Sequence, residues 1–215
     1  DALTTGSYNT AIGYLALSAE DTHGYNTAIG REALTAQNAG ANAYNVAVGF
    51  QAGKTVSTGV RNIIIGGVAG DALTTGSYNV AIGHEALSTE DAHGYNVAVG
   101  YRALKTLNAG ANAYNVAMGY DAGVTLSTGI NNILVGGLAG DALTTGGNNI
   151  AIGYGSLGNE DAHSYNVAVG TGTLANQDAG ADAYNVAIGY SAGNDVTTGV
   201  QNVLAGGLAG DALTT

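Results

Sequence analysis

A chain of 215 residues with 16 acidic and 5 basic side chains, a formal net charge of −11, has almost nothing with which to neutralise a phosphate backbone, so no nucleic-acid partner is expected. The lack of Cys removes disulfides and thiolate metal sites and leaves the redox compartment open. Thirty-six Gly, no Pro and 10% charged residues fit neither an ordinary globular enzyme nor a charged disordered tail, and no run of about 18 apolar residues offers a membrane span.

The chain opens on DALTTG, which returns at residues 71 and 141, with DALTT again at 211. Blocks 1–70, 71–140 and 141–210 and the start of a fourth at 211 therefore form one continuous repeat domain over 1–215. In the first block an Asn is followed four residues later by Gly at Asn9 and Gly13, Asn26 and Gly30, Asn45 and Gly49, Asn62 and Gly66. The second block repeats this at Asn79 and Gly83, Asn96 and Gly100, Asn115 and Gly119, Asn132 and Gly136. The third has Asn149 and Gly153, Asn166 and Gly170, Asn185 and Gly189, Asn202 and Gly206. The Asn spacing runs 17, 19, 17, 17 and then recurs, giving twelve coils.

A period near 17 is too short for helix-pair repeats of roughly 33–47 residues or propeller blades of roughly 40. The short β-branched or small apolar runs, each closed by Gly, cannot reach the roughly 10 residues a globular helix needs. The expected fold is all-β: a parallel β-solenoid whose coils each hold two short strands and spaced corners. Equivalent positions would stack about 4.7–4.9 Å apart, so twelve coils span about 55–60 Å.

Each column of the repeat then becomes a ladder. The Asn ladder suits a corner that tolerates a left-handed backbone and whose amides bond neighbouring coils. The Gly ladder suits a sharp turn or close backbone approach. Between them, the middle residue of each apolar triplet is mostly Ala, with Ile64, Leu134 and Leu204 in every fourth coil. That small-residue face is expected to press against another layer or chain, the strand being apolar on both sides. A second apolar point alternates between Ala-Leu pairs, as at Ala16-Leu17 and Ala103-Leu104, and Ala-Gly pairs with a Val or Leu three residues on, as at Val56, Leu73, Leu126, Leu143 and Val196.

The strings NVAVG, NTAIG and NVAIG, with a small-residue pair after them, resemble the head repeats of YadA-type trimeric autotransporter adhesins and the TGSYNTAIG-type repeats of phage tail fibres and bacterial surface proteins. The resemblance covers essentially the whole chain and departs from the adhesin heads in having longer coils. It implies a left-handed β-roll, three subunits packed side by side as a homotrimer, an extracellular place at a cell surface or on a virion fibre, and no catalytic residues. Starting and stopping in phase with DALTT fits a longer array or copies joined into an end-to-end filament, since open solenoid ends leave strand edges to pair.

Three corners carry Glu, Asp and His together. Asp21 with His23, Asp91 with His93 and Asp161 with His163 could ligate a divalent cation, and carboxylates in a turn could hold Ca²⁺ through oxygen; no other cofactor is expected. The alternative is a solvated turn whose Asp bonds its own backbone. Tyr8, Tyr25, Tyr44, Tyr78, Tyr95, Tyr114, Tyr165 and Tyr184 precede the Asn, and Tyr14, Phe50, His84, Tyr101, Tyr120, Tyr154 and Tyr190 follow the Gly. The first column suits a structural ladder, with sugar binding or packing between subunits as the alternative, and the second, more varied set is where contact with a host-surface or glycan target is expected first. Paired Thr at Thr4-Thr5, Thr74-Thr75 and Thr144-Thr145 raise an ice-binding alternative, although once per four coils is sparse for a hydroxyl lattice.

Overall fold

The structure, a computed structural model, describes residues 6–20 and 22–215. The β-branched triplets form twelve three-residue strands, from Thr10–Ile12 to Val203–Ala205, that pair in sequence order into one all-parallel sheet. Pairing holds like residues opposite like: Thr27, Ala28 and Ile29 face Val46, Ala47 and Val48. That pair spans a 19-residue coil, and the next, Val46–Val48 against Ile63–Ile65, spans a 17-residue one. The two extra residues are absorbed elsewhere in the coil. The protein is a β-solenoid, and no helix occurs among the described residues.

Among the described residues one strand forms per coil, where two were expected. The Ala-Leu and Ala-Gly segments are turns in which left-handed residues recur: Leu34 at φ 48° and Leu104 at φ 50°, with Gly53 at φ 57° and Gly123 at φ 58° in the same column one coil on from each. A left-handed residue re-aims the chain within one position, which two extended strands joined by corners could not do in so few residues. The alternation of Leu and Gly is a packing device. A Cβ on Gly53 would sit 2.8 Å from Ile64 Cδ1 and 3.1 Å from Leu34 Cδ2. The large side chains of neighbouring coils occupy the room that this glycine leaves.

The sense of the strand also differs from expectation. From Ala28 to Ala187 the middle column, with Ala47, Ile64, Ala81 and Ala98 among others, is fully buried inside the coil itself, and only Ala11 and Leu204 of the two end strands are more open. The flanking Val, Ile and Thr point out. Ala is small there because the opposite wall of the coil is close and already filled by Leu17, Leu34, Leu87 and Leu104.

The corner Asn are not left-handed. Positive φ falls on the residue before, Tyr25 at 64°, Tyr95 at 65° or Arg61 at 57°, and that turn swings the Asn side chain into the interior, where all but the terminal ones are fully buried. Asn132 shows the resulting bonding. Its Oδ1 accepts the Asn149 backbone N–H at 3.0 Å and its Nδ2 donates to Gly146 O at 2.9 Å, so one side chain satisfies two buried backbone groups of the next coil. Asn26 and Asn166, which begin 19-residue coils, leave Nδ2 without a partner. The insertion removes the carbonyl that other coils present. On the strand's other side, a Cβ on Gly136, at φ +135°, would fall 2.5 Å from Gly153 O. This column is a seam along which successive backbones lie too close to admit a Cβ.

Candidate interaction face and corner cluster

The outward side of the sheet is an apolar face, unbroken from the third strand on. Its two columns, the first and third residue of every strand, contain only Thr10 and Thr27 as polar side chains, and every position is exposed or half-buried. Ile63, Ile133 and Met118 are 41%, 40% and 44% exposed. Because each strand is three residues long and in register with its neighbours, the face is narrow, regular and as long as the rod.

Aromatic columns border it on both sides. Tyr8, Tyr25 and Tyr44 stack with centroids 4.8 Å apart, Tyr78, Tyr95 and Tyr114 at 5.1 and 5.0 Å, and Tyr165 on Tyr184 at 5.0 Å. Arg61, Asn131 with Asn148, and Gln201 interrupt the column; the Arg61 guanidinium lies over the Tyr78 ring at 5.3 Å. Beyond the Gly seam, His84, Tyr101 and Tyr120 stack at 5.8 and 5.4 Å, and Arg31 bridges Tyr14 and Phe50. Charged pairs also link neighbouring coils: Glu32 meets Lys54 at 2.9 Å, and the hydrogen bonds from Lys54 and then Gln51 hold its carboxyl down to about 2.

In the described Thr pairs the first hydroxyl is engaged in bonding between coils. Thr74 Oγ1 donates to Asp91 O at 2.8 Å and Thr144 Oγ1 to Asp161 O at 2.7 Å, so both hydroxyls tie one coil to the next. Thr4 and Thr5 lie outside the described residues.

The Glu-Asp-His corners are built more deeply than their sequence suggests. Counting eleven residues on from each Asn gives one column: Glu20, Gln37, Val56, Leu73, Glu90, Leu107, Leu126, Leu143, Glu160, Gln177, Val196 and Leu213. Most of its members are core residues, and Glu20, Glu90 and Glu160 are fully buried in it. Glu160 Oε1 lies 2.7 Å from His163 Nδ1 and accepts the His163 backbone N–H at 3.2 Å, while Oε2 has no partner. Burial pushes this carboxyl above its ordinary range, with His163 pulling the other way. Asp161 and, from the following coil, Asp178 each bring Oδ1 to 3.9 Å from the same imidazole nitrogen. In the second block, Glu90 is 3.3 Å from His93 Nδ1, its Oε2 accepts the Ala109 N–H, and Asp91 completes a set of three. In the first, His23 is 3.6 Å from Glu20, and Asp21 lies outside the described residues.

The sequence alone points to the Asp and His of these corners as ligands, and the burial of the Glu emerges only with the fold. Alignment on the Asn column marks these Glu as acidic residues in a column otherwise held by Val, Leu and Gln. Asp178, seventeen residues beyond Asp161 and in the same column, could be found the same way. No family model matches this chain, and no curated protein or solved structure is significantly similar to it.

Proposed function

We propose that this chain is a non-catalytic structural segment of an extracellular fibre, at a cell surface or on a virion, with a role in surface adhesion. Copies pack side by side through the outward sheet face, three around a common axis, and stack end to end. The observation that carries this reading is the apolar face running the length of the solenoid. Monomeric soluble proteins rarely leave a contiguous apolar patch of more than a few hundred Å² in water, and closed symmetry about a common axis would cover this face on every copy alike. The twelve coils supply stiffness, and the exposed aromatic columns repeat one weak contact many times, the geometry that gives avidity. No helix among the described residues is long and apolar enough to cross a membrane.

Sedimentation equilibrium over a range of concentrations tests the packing. The chain should sediment as an oligomer, and Val97→Lys with Val99→Lys, which places two charges at the middle of the face, should return it to monomer while leaving the coil intact. A wild-type chain that stays monomeric throughout would sink the reading. A second reading, a glycan-binding face, is favoured by the stacked and half-exposed Tyr78, Tyr95 and Tyr114. Glycan-array binding by the monomeric lysine variant that is lost in Tyr95→Ala would favour it. The ice-binding alternative loses its main support in the engaged hydroxyls of Thr74 and Thr144.

A further inference from the structure

We propose that the corner formed by Glu160, Asp161, His163 and Asp178 is a binding site for one divalent transition-metal cation of the zinc type, and that it is the strongest of the three equivalent corners. One ligating atom from each of the four side chains lies within 4.8 Å of the other three. Three carboxylates converge on a single imidazole, so the corner holds an excess of negative charge that a dication offsets. The second observation is independent of that clustering. Glu160 is fully buried in a core column, its carboxylate turned to His163, and one of its oxygens has no hydrogen-bond partner. A buried carboxylate oxygen left unpaired is costly unless it protonates or meets a cation.

The donor set selects the ion. One imidazole nitrogen with three carboxylate oxygens suits zinc and its neighbours, whereas Ca²⁺ takes six to eight oxygens and no nitrogen. Zinc bonds of about 2.0–2.2 Å put tetrahedral donors roughly 3.3–3.6 Å apart. Glu160 and His163 are held by the coil, while the side chains of Asp161 and Asp178 are 58% and 60% exposed and can swing inward to close the set.

The other blocks are built-in controls. The position of Asp178 is Asn38 in the first block and Asn108 in the second. Glu90, Asp91 and His93 therefore stand as three donors, with the second Glu90 oxygen already taken by the Ala109 N–H. Asp178→Asn converts the third corner to the composition of the second, which folds as part of the same chain. Asn108→Asp does the reverse.

Titration of Zn²⁺ into the full chain by calorimetry tests this, with Co²⁺ absorption reporting a tetrahedral site. The expected result is one tight equivalent per chain, weakened on the order of ten-fold or more in Asp178→Asn, and a second tight equivalent in Asn108→Asp. Both variants should keep the wild-type circular dichroism. Absence of saturable Zn²⁺ binding, or three equal equivalents unaffected by Asp178→Asn, would overturn the proposal and leave protonation as the answer to the buried Glu160.

Discussion

The sheet side of each coil and the corner opposite it follow different rules. On the sheet side, Asn and Gly recur in all twelve coils, and every strand keeps register across insertions. At the corner, chemistry recurs only every fourth coil and coil length changes between 17 and 19. The difference lies in what each position touches. Asn132 and Gly136 make backbone contacts to the next coil that admit no other side chain, whereas a corner needs only to return the chain. Strict constraint on one side leaves the other free to vary, and the buried Glu of each block sits where that freedom begins.

The seam offers the sharpest way to break the comparison. Gly136→Ala must force its Cβ away from Gly153 O and should cost at least about 3 kcal/mol or prevent folding. Gly110→Ala, at φ +69° in a 19-residue coil with nothing within 4 Å of the new Cβ, should cost only the left-handed penalty of about 1 kcal/mol. Urea unfolding followed by circular dichroism separates the two, and equal losses would refute the seam. Next in size, Asn132→Ala removes two bonds and strands two backbone groups, for about 2–4 kcal/mol. Asn166→Ala, which gives up a single 3.3 Å bond, should cost about 1–2 kcal/mol by the same measurement.

Smaller effects sharpen the corner. Glu160 holds its proton to higher pH in the folded chain than in the unfolded one. Between its ordinary value of 4.5 and the raised one, the folded state binds more protons, so stability falls as pH rises through that window. Glu160→Gln should make the urea midpoint less dependent on pH there, measured with chelator present; Asp71 and Asp141, also raised by burial, keep a residual slope. The smallest expected change is Tyr95→Ala, which removes the middle ring of a stacked run and should cost about 1 kcal/mol in the same unfolding experiment.

The period, the all-β class and the parallel stacking were legible in the sequence because Asn and Gly fall at fixed spacing and each apolar run is too short for a helix. The direction of the strand was not. Ala in the middle and Val or Ile on either side are all apolar, and only the nearness of the opposite wall puts Ala28 and Ala47 inside. Asn adopts a left-handed backbone more readily than most non-glycine residues, yet Tyr25 and Tyr95 carry it here, so that the amide can reach the next coil. At the corner, Glu160 next to Asp161 and His163 reads as one more surface charge until the coils are aligned on their Asn.

Under the proposed function, the apolar sheet face is an interface between copies of this chain. Mass per unit length of unfixed particles by electron microscopy tests it most directly. Three chains per cross-section is the predicted result. A single chain in every cross-section would contradict it and leave the face open to water along the whole rod.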